Sequence, residues 1–146
     1  MKWYYLPFLF QGLIMGVDEL LHVKRSLPKW ERIGHPLDTL TVFSSYLFLV
    51  LFDYSSDMAK FYIGLCVFSC LFVTKDEFVH AKNCSPVEHW LHSLLFVLHP
   101  LAFISGGLIW KDSPQDSFLY LQPTLTGIFM LYQTIRWNTS WQPQKK

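Results

Sequence analysis

Five apolar runs, separated by short polar segments, dominate the chain: about Trp3–His22, Pro36–Phe52, Phe61–Thr74, Trp90–Trp110 and Phe118–Ile135. They are near-continuous in Leu, Phe, Val and Ile rather than alternating, and they approach the roughly 20 residues that a bilayer-spanning helix needs. The third run is short. It reaches full length only if Asp76 and Glu77 lie on its last turn, an unusual place for acids on a lipid-facing helix but a natural one if they face a buried polar site. The pattern predicts an all-α polytopic membrane protein with five transmembrane helices, the first four forming an antiparallel bundle.

Two of the polar segments repeat each other. DELLHVKRSLP begins at Asp18 and DEFVHAKNCSP at Asp76, an offset of 58, with Asp18/Asp76, Glu19/Glu77, His22/His80, Lys24/Lys82 and Pro28/Pro86 in register. The similarity continues with PKWERIGHPLD, where Glu31 and His35 are four apart, and PVEHWLHSLLF, where Glu88 and His92 are four apart, at an offset of 57. Each half reads D-E-x-x-H, a loop with proline, then E-x-x-x-H. The chain 1–146 is expected to be one membrane domain made of two parallel pseudo-repeats, about 1–57 and about 58–112, related by a pseudo-two-fold axis along the membrane normal. The remaining segment, about 113–146, has no counterpart and is expected to flank or cover the bundle. The prolines suit the starts of the returning helices. Ser44-Ser45 and Gly106-Gly107 suit close helix packing.

Composition agrees with a membrane setting: 51% of residues are hydrophobic, 18% aromatic and only 16% charged, against about 25% charged in soluble domains. Of the twelve Lys and Arg, nine fall after spans one, three and five, whereas Lys2, Lys60 and Lys111 fall on the other side. That imbalance predicts an outside N-terminus and a cytoplasmic C-terminus, with the repeated motifs on the cytoplasmic side. The N-terminal MKWYYLPFLFQGLIMG runs directly into DELLH without a clear cleavage site and reads as a retained helix. The basic rim is explained by topology and anionic lipid, and no nucleic-acid partner is implied. Trp30, Trp90, Trp110, Trp137 and Trp141 are expected at the membrane interfaces.

Helical positions three and four apart share a face. Glu19 and His22 therefore point together, with Asp18 and His22 as the other possible pair, and Glu77, Asp76 and His80 behave likewise. Glu31, His35 and Asp38 form one stripe, and Glu88, His92 and His99 another. Carboxylates near low dielectric are costly unless compensated. Divalent or trivalent metals compensate them by binding ionised carboxylates and neutral imidazoles. A rim of helix-end ion pairs would explain the charges but not histidine recurring at fixed spacing.

The paired motifs resemble those of ferritin-like and alternative-oxidase-like di-iron carboxylate proteins. There, two helices of a bundle each supply a Glu and two each supply a Glu-x-x-His. The resemblance implies Glu19-x-x-His22 and Glu77-x-x-His80 as the two Glu-x-x-His elements, with Glu31 and Glu88 as the single glutamates. His35 and His92 are additional nitrogens, and the order of the elements is permuted. The implied ligands are thus Glu19, His22, Glu31, His35, Glu77, His80, Glu88 and His92. Asp18, Asp38, Asp76, His89 and His99 are candidates for a supporting layer that hydrogen-bonds the ligands, and His99 also reads as a buried histidine satisfied by a neighbour.

The expected function is that of a membrane-embedded oxidoreductase, an oxygen-dependent oxidase, hydroxylase or desaturase. It would hold two metal ions, with iron favoured and zinc or manganese as alternatives. It would act on a lipid or other apolar substrate entering from the bilayer, with electrons from a separate donor. A di-zinc membrane hydrolase and a non-enzymatic metal-binding subunit of a larger membrane complex are the alternatives, and a homo-oligomer is compatible with all three.

Overall fold

The computed structural model describes residues 3–24, 27–78 and 84–138. Among them lie five α-helices: α1 (Leu6–Lys24), α2 (Lys29–Leu51), α3 (Ser56–Phe72), α4 (Pro86–Asp112) and α5 (Ser117–Asn138). A 3-10 turn, Trp3–Tyr5, leads into α1, and a second, Val73–Asp76, prolongs α3. Asp76 and Glu77 therefore do fall at the end of the third hydrophobic helix. Local chemistry sets several starts. The Ser55 hydroxyl accepts from Met58 N at 3.2 Å to begin α3. Ser85 and Glu88 form a reciprocal capping box at α4, with Pro86 in its first turn.

Successive helices alternate in direction. At one end Trp137 of α5 meets Glu19 of α1, and Lys75 beyond α3 meets Asp38 of α2. At the other, Tyr5 meets Asp116 and Trp110 meets the Phe52 carbonyl. α1 packs chiefly on α4, and α2 packs on α3 and, most extensively, on α5. The apolar core gathers Phe8, Val42, Tyr46, Leu49, Tyr62, Ala102, Phe103 and Trp110 towards the end opposite the repeated motifs. Gly106 permits the closest approach there: a Cβ would stand 3.2 Å from both Leu49 Cδ1 and the Tyr62 hydroxyl. Trp110 and Trp137 lie near the ends of their helices but face inward rather than outward, each indole N–H being committed to an acceptor inside the protein. Trp30 and Trp90 are exposed, and Trp141 lies outside the described residues.

Among the described residues three helical stretches are long and apolar enough to cross a membrane: Trp3–Lys24, Ser56–Lys75 and Pro86–Asp112. Five were expected. α2 and α5 have the length, 23 and 22 residues, but carry too many polar side chains. Those polar groups are largely satisfied within the helices. Ser44 and Ser45 donate to carbonyls one turn back, as do Thr124, Thr126 and Thr134. Thr39 and Gln133 are buried and face each other. Outward, the bundle shows Leu9, Leu13, Leu20, Phe61, Phe68, Leu71, Ile104, Ile128 and Leu131 to its surroundings. Polar groups inside and apolar groups outside reverse the usual arrangement of a water-soluble domain.

Candidate metal centre

The end of α1, the start of α2 and the start of α4 bring the repeated motifs together. Two groups of side chains there have ligand atoms within 4.8 Å of one another: Asp18, His22 and His92, and His22, Glu31 and His35. His22 belongs to both. It is 1% exposed and Glu31 is 0% exposed. The His22 ring lies edge-on to His35, with centroids 4.8 Å apart, and nearly parallel to His92 at 6.0 Å.

The tautomer of His22 follows from its neighbours. Its Nδ1 is 2.8 Å from the Asp18 carbonyl oxygen and 3.2 Å from Asp18 Oδ2. A carbonyl can only accept, so Nδ1 carries a proton, and in the neutral ring Nε2 then keeps its lone pair. This carboxylate–imidazole arrangement is what orients histidine ligands in metal sites. The second Asp18 oxygen, Oδ1, is 3.1 Å from His92 Nε2, so one carboxylate holds two imidazoles. Ligands of a single ion sit about 2.0–2.2 Å from it and so at most about 4.4 Å apart. His22, Glu31 and His35 fit one ion with a small inward shift, and their chemistry, two imidazoles and a carboxylate, suits a transition metal.

Around them is a cavity of about 130 Å³, lined among others by Asp18, Glu19, His22, His35, His92 and His99. Glu19 borders it, but its Oε1 accepts a 3.0 Å hydrogen bond from Trp137 Nε1. Asp38 is engaged by Lys75 Nζ at 2.5 Å. Glu88 Oε2 accepts from the Ser85 backbone N–H at 2.7 Å, in the capping box. Glu77 Oε1 is 3.3 Å from His89 Nδ1, away from the two ligand groups. His80 and the side chain of Asp76 lie outside the described residues.

His99 belongs to a directional chain of buried hydrogen bonds instead. Thr41 donates to the Asp38 carbonyl at 2.8 Å. Its hydroxyl then accepts from Ser69 at 2.7 Å, so Ser69 accepts from His99 Nε2 at 3.1 Å. His99 Nδ1 in turn accepts from Gln11 Nε2 at 2.9 Å. Both ring nitrogens are thereby used, and four helices are tied at mid-height.

Sequence reasoning missed Gln11, Thr39, Gln133 and Trp137 as parts of this region. Lone amides within apolar runs, as in FLFQGLI and FMLYQTI, are the signal that pointed to them, since a buried amide without a partner is costly. No protein-family model matches the chain, and no curated protein or solved structure shows a significant similarity to it.

Proposed function

We propose that the chain is an integral membrane metalloprotein, a di-iron, oxygen-dependent oxidoreductase acting on a lipid or other apolar substrate. The observation that carries this reading is the His22–Glu31–His35 group, with His22 and Glu31 buried and His35 partly so, and with Asp18 holding His22 in the tautomer that presents Nε2. Two imidazoles and one carboxylate are the ligand set of mononuclear non-haem iron oxygenases, so this group suits one iron, and the second ion rests on the repeat. One ion belongs to that group. The second ion is assigned to His92, which Asp18 orients; the repeat offers His80, which lies outside the described residues, as a further ligand. Iron bound there supplies the redox chemistry that O₂ and an unreactive C–H bond require, with electrons from a separate donor. The protein's own part is to orient the imidazoles through Asp18, to hold ionised carboxylates in a dry site, and to keep Glu19 in place through Trp137.

The membrane reading extends to all five helices, because the polar groups of α2 and α5 face inward or bond their own backbone. The packing of α1 on α4 and of α2 on α3 is the pattern a two-fold exchange of α1 with α3 and α2 with α4 generates. This supports two parallel pseudo-repeats in a single domain. The excess of Lys and Arg on one side supports a cytoplasmic metal-bearing end and C-terminus.

A second reading, a zinc hydrolase, is favoured by the same triad, since two histidines and a glutamate also hold catalytic zinc. Elemental analysis of protein purified in mild detergent separates the two. Two iron ions per chain in the wild type, lost in His22→Ala, support the oxidoreductase. Zinc in the same ratio moves the reading to hydrolysis. A wild type devoid of transition metal ends both.

A further inference from the structure

Beside the polar cavity runs a second, larger space of about 440 Å³. One wall is α1 from Tyr5 to Gly16, the other is α5 from Phe118 to Phe129, and Val42 and Tyr46 of α2 form the floor. We propose that this groove binds a single alkyl chain of a membrane lipid, with one end of the chain at the polar cavity. The proposal deepens the oxidoreductase reading and rests on it for what happens at the cavity, though not for the binding itself.

Three observations identify the occupant. The first is continuity: Gln11, Met15, Val42 and Phe129 line both spaces, so a chain in the groove ends against the candidate ligands. The second is size. Each wall covers eleven residue steps, about 16 Å at 1.5 Å per residue, close to the ~15 Å depth of one hydrocarbon leaflet. The groove thus matches one extended alkyl chain in length, and Phe8, Leu9, Leu121 and Leu125 give it an apolar wall. The third is the shape of the α1 wall. Gly12 and Gly16, one turn apart on the face lining the groove, would each carry a Cβ that meets nothing within 4 Å. The space in front of them is open to an occupant, and no neighbouring side chain fills it.

Those glycines also supply the test. In Gly12→Leu/Gly16→Leu the new side chains enter the groove rather than the protein, and leucine is the better helix former, so folding is preserved. The wild type and this variant are placed in phosphatidylcholine nanodiscs and photolabelled with palmitic acid carrying a mid-chain diazirine. Labelled residues are mapped by mass spectrometry, with and without excess unlabelled palmitic acid, and metal content and melting temperature are measured on the same samples. The expected result is labelling of Met15, Leu125 and Phe129 that unlabelled palmitic acid competes away in the wild type. In the variant it falls to the uncompeted background seen at the outward-facing Leu20, with metal content and melting unchanged. Labelling at the groove that is not competed, or that persists in the variant, overturns the proposal. The two readings fail separately. A wild type with competed labelling but no metal keeps the chain site and ends the oxidoreductase. A wild type with metal but no competed labelling does the reverse.

Discussion

Asp18→Asn is the substitution that asks most of the proposed centre. The Asp18 carboxylate contacts two imidazoles, at 3.2 Å from His22 Nδ1 and 3.1 Å from His92 Nε2. Asparagine keeps the shape but offers one acceptor oxygen and one donor nitrogen, and it has no charge. One of the two contacts therefore becomes donor against donor. His22 retains a second acceptor, the residue-18 carbonyl at 2.8 Å, which the substitution does not touch. The damage should fall mainly on the His92 side. Removing a carboxylate that orients a ligand histidine typically weakens metal binding by about 10–100-fold, or roughly 1.4–2.7 kcal/mol. The ion at His22, Glu31 and His35 should weaken by about tenfold and the ion held through His92 by about a hundredfold. Titration against a chelator of known affinity resolves the two steps, and elemental analysis at saturating metal gives the stoichiometry. A full complement of metal at saturation with these two losses supports Asp18 as an orienting group. A stoichiometry that stays reduced at saturation makes Asp18 a direct ligand. Unchanged affinity at both steps refutes the geometry on which the centre rests.

Three further substitutions test neighbouring assignments. His99→Leu strands the Gln11 and Ser69 partners and should destabilise the protein by roughly 1–3 kcal/mol per buried group, nearer 0.6 kcal/mol per bond if membrane averages hold, with metal content unchanged in the same preparation. Metal loss without a change in melting would make His99 a ligand. Trp137→Phe removes one donor to the buried Glu19 and should lower stability by about 1–3 kcal/mol in thermal unfolding; a neutral outcome would mean that Tyr132 alone holds Glu19. Glu88→Gln preserves the capping box, which glutamine also forms, and should leave both melting and metal content intact, whereas loss of metal would return Glu88 to the ligand set.

Much of this was readable in the sequence because the polar residues stand out against an apolar background. The all-helical architecture and the sharing of a face by Glu31 and His35 follow from spacing, whereas α2 and α3 begin several residues before the apolar runs that announced them. The choice between Asp18 and Glu19 as the neighbour of His22 does not follow from spacing. Positions three and four apart lie on the same face, so the pattern D-E-x-x-H admits both. The decision comes from α5, where Trp137 donates to Glu19 and leaves Asp18 beside the histidines. Likewise Glu88 and Glu31 occupy equivalent repeat positions, but Glu88 has Ser85 three residues before it and closes a cap. Glu31 is preceded at that position by Pro28, which has no side-chain acceptor. If α2 and α5 also span the bilayer, as proposed, hydropathy under-reads them because it counts in full hydroxyls that are already bonded to the helix backbone.

That same fifth helix explains why two similar halves need not make two similar sites. On the two-repeat reading, α2 and α4 occupy equivalent places, but α5 packs chiefly along α2. It supplies Gln133 to Thr39 and Trp137 to Glu19, both on the side of the first motif. At the second motif Glu77 meets His89 and Glu88 turns back to its cap. The first half gathers the triad His22, Glu31 and His35, while the second contributes His92, held by Asp18. Two ions bound in such a frame have different ligands and different support, which is why metal loading is expected in two resolvable steps rather than one. The groove opens between α1 and α5, on the flank where the added helix breaks the symmetry. On these proposals, one departure from the repeat would account for both the inequivalent ions and an entry for an alkyl chain.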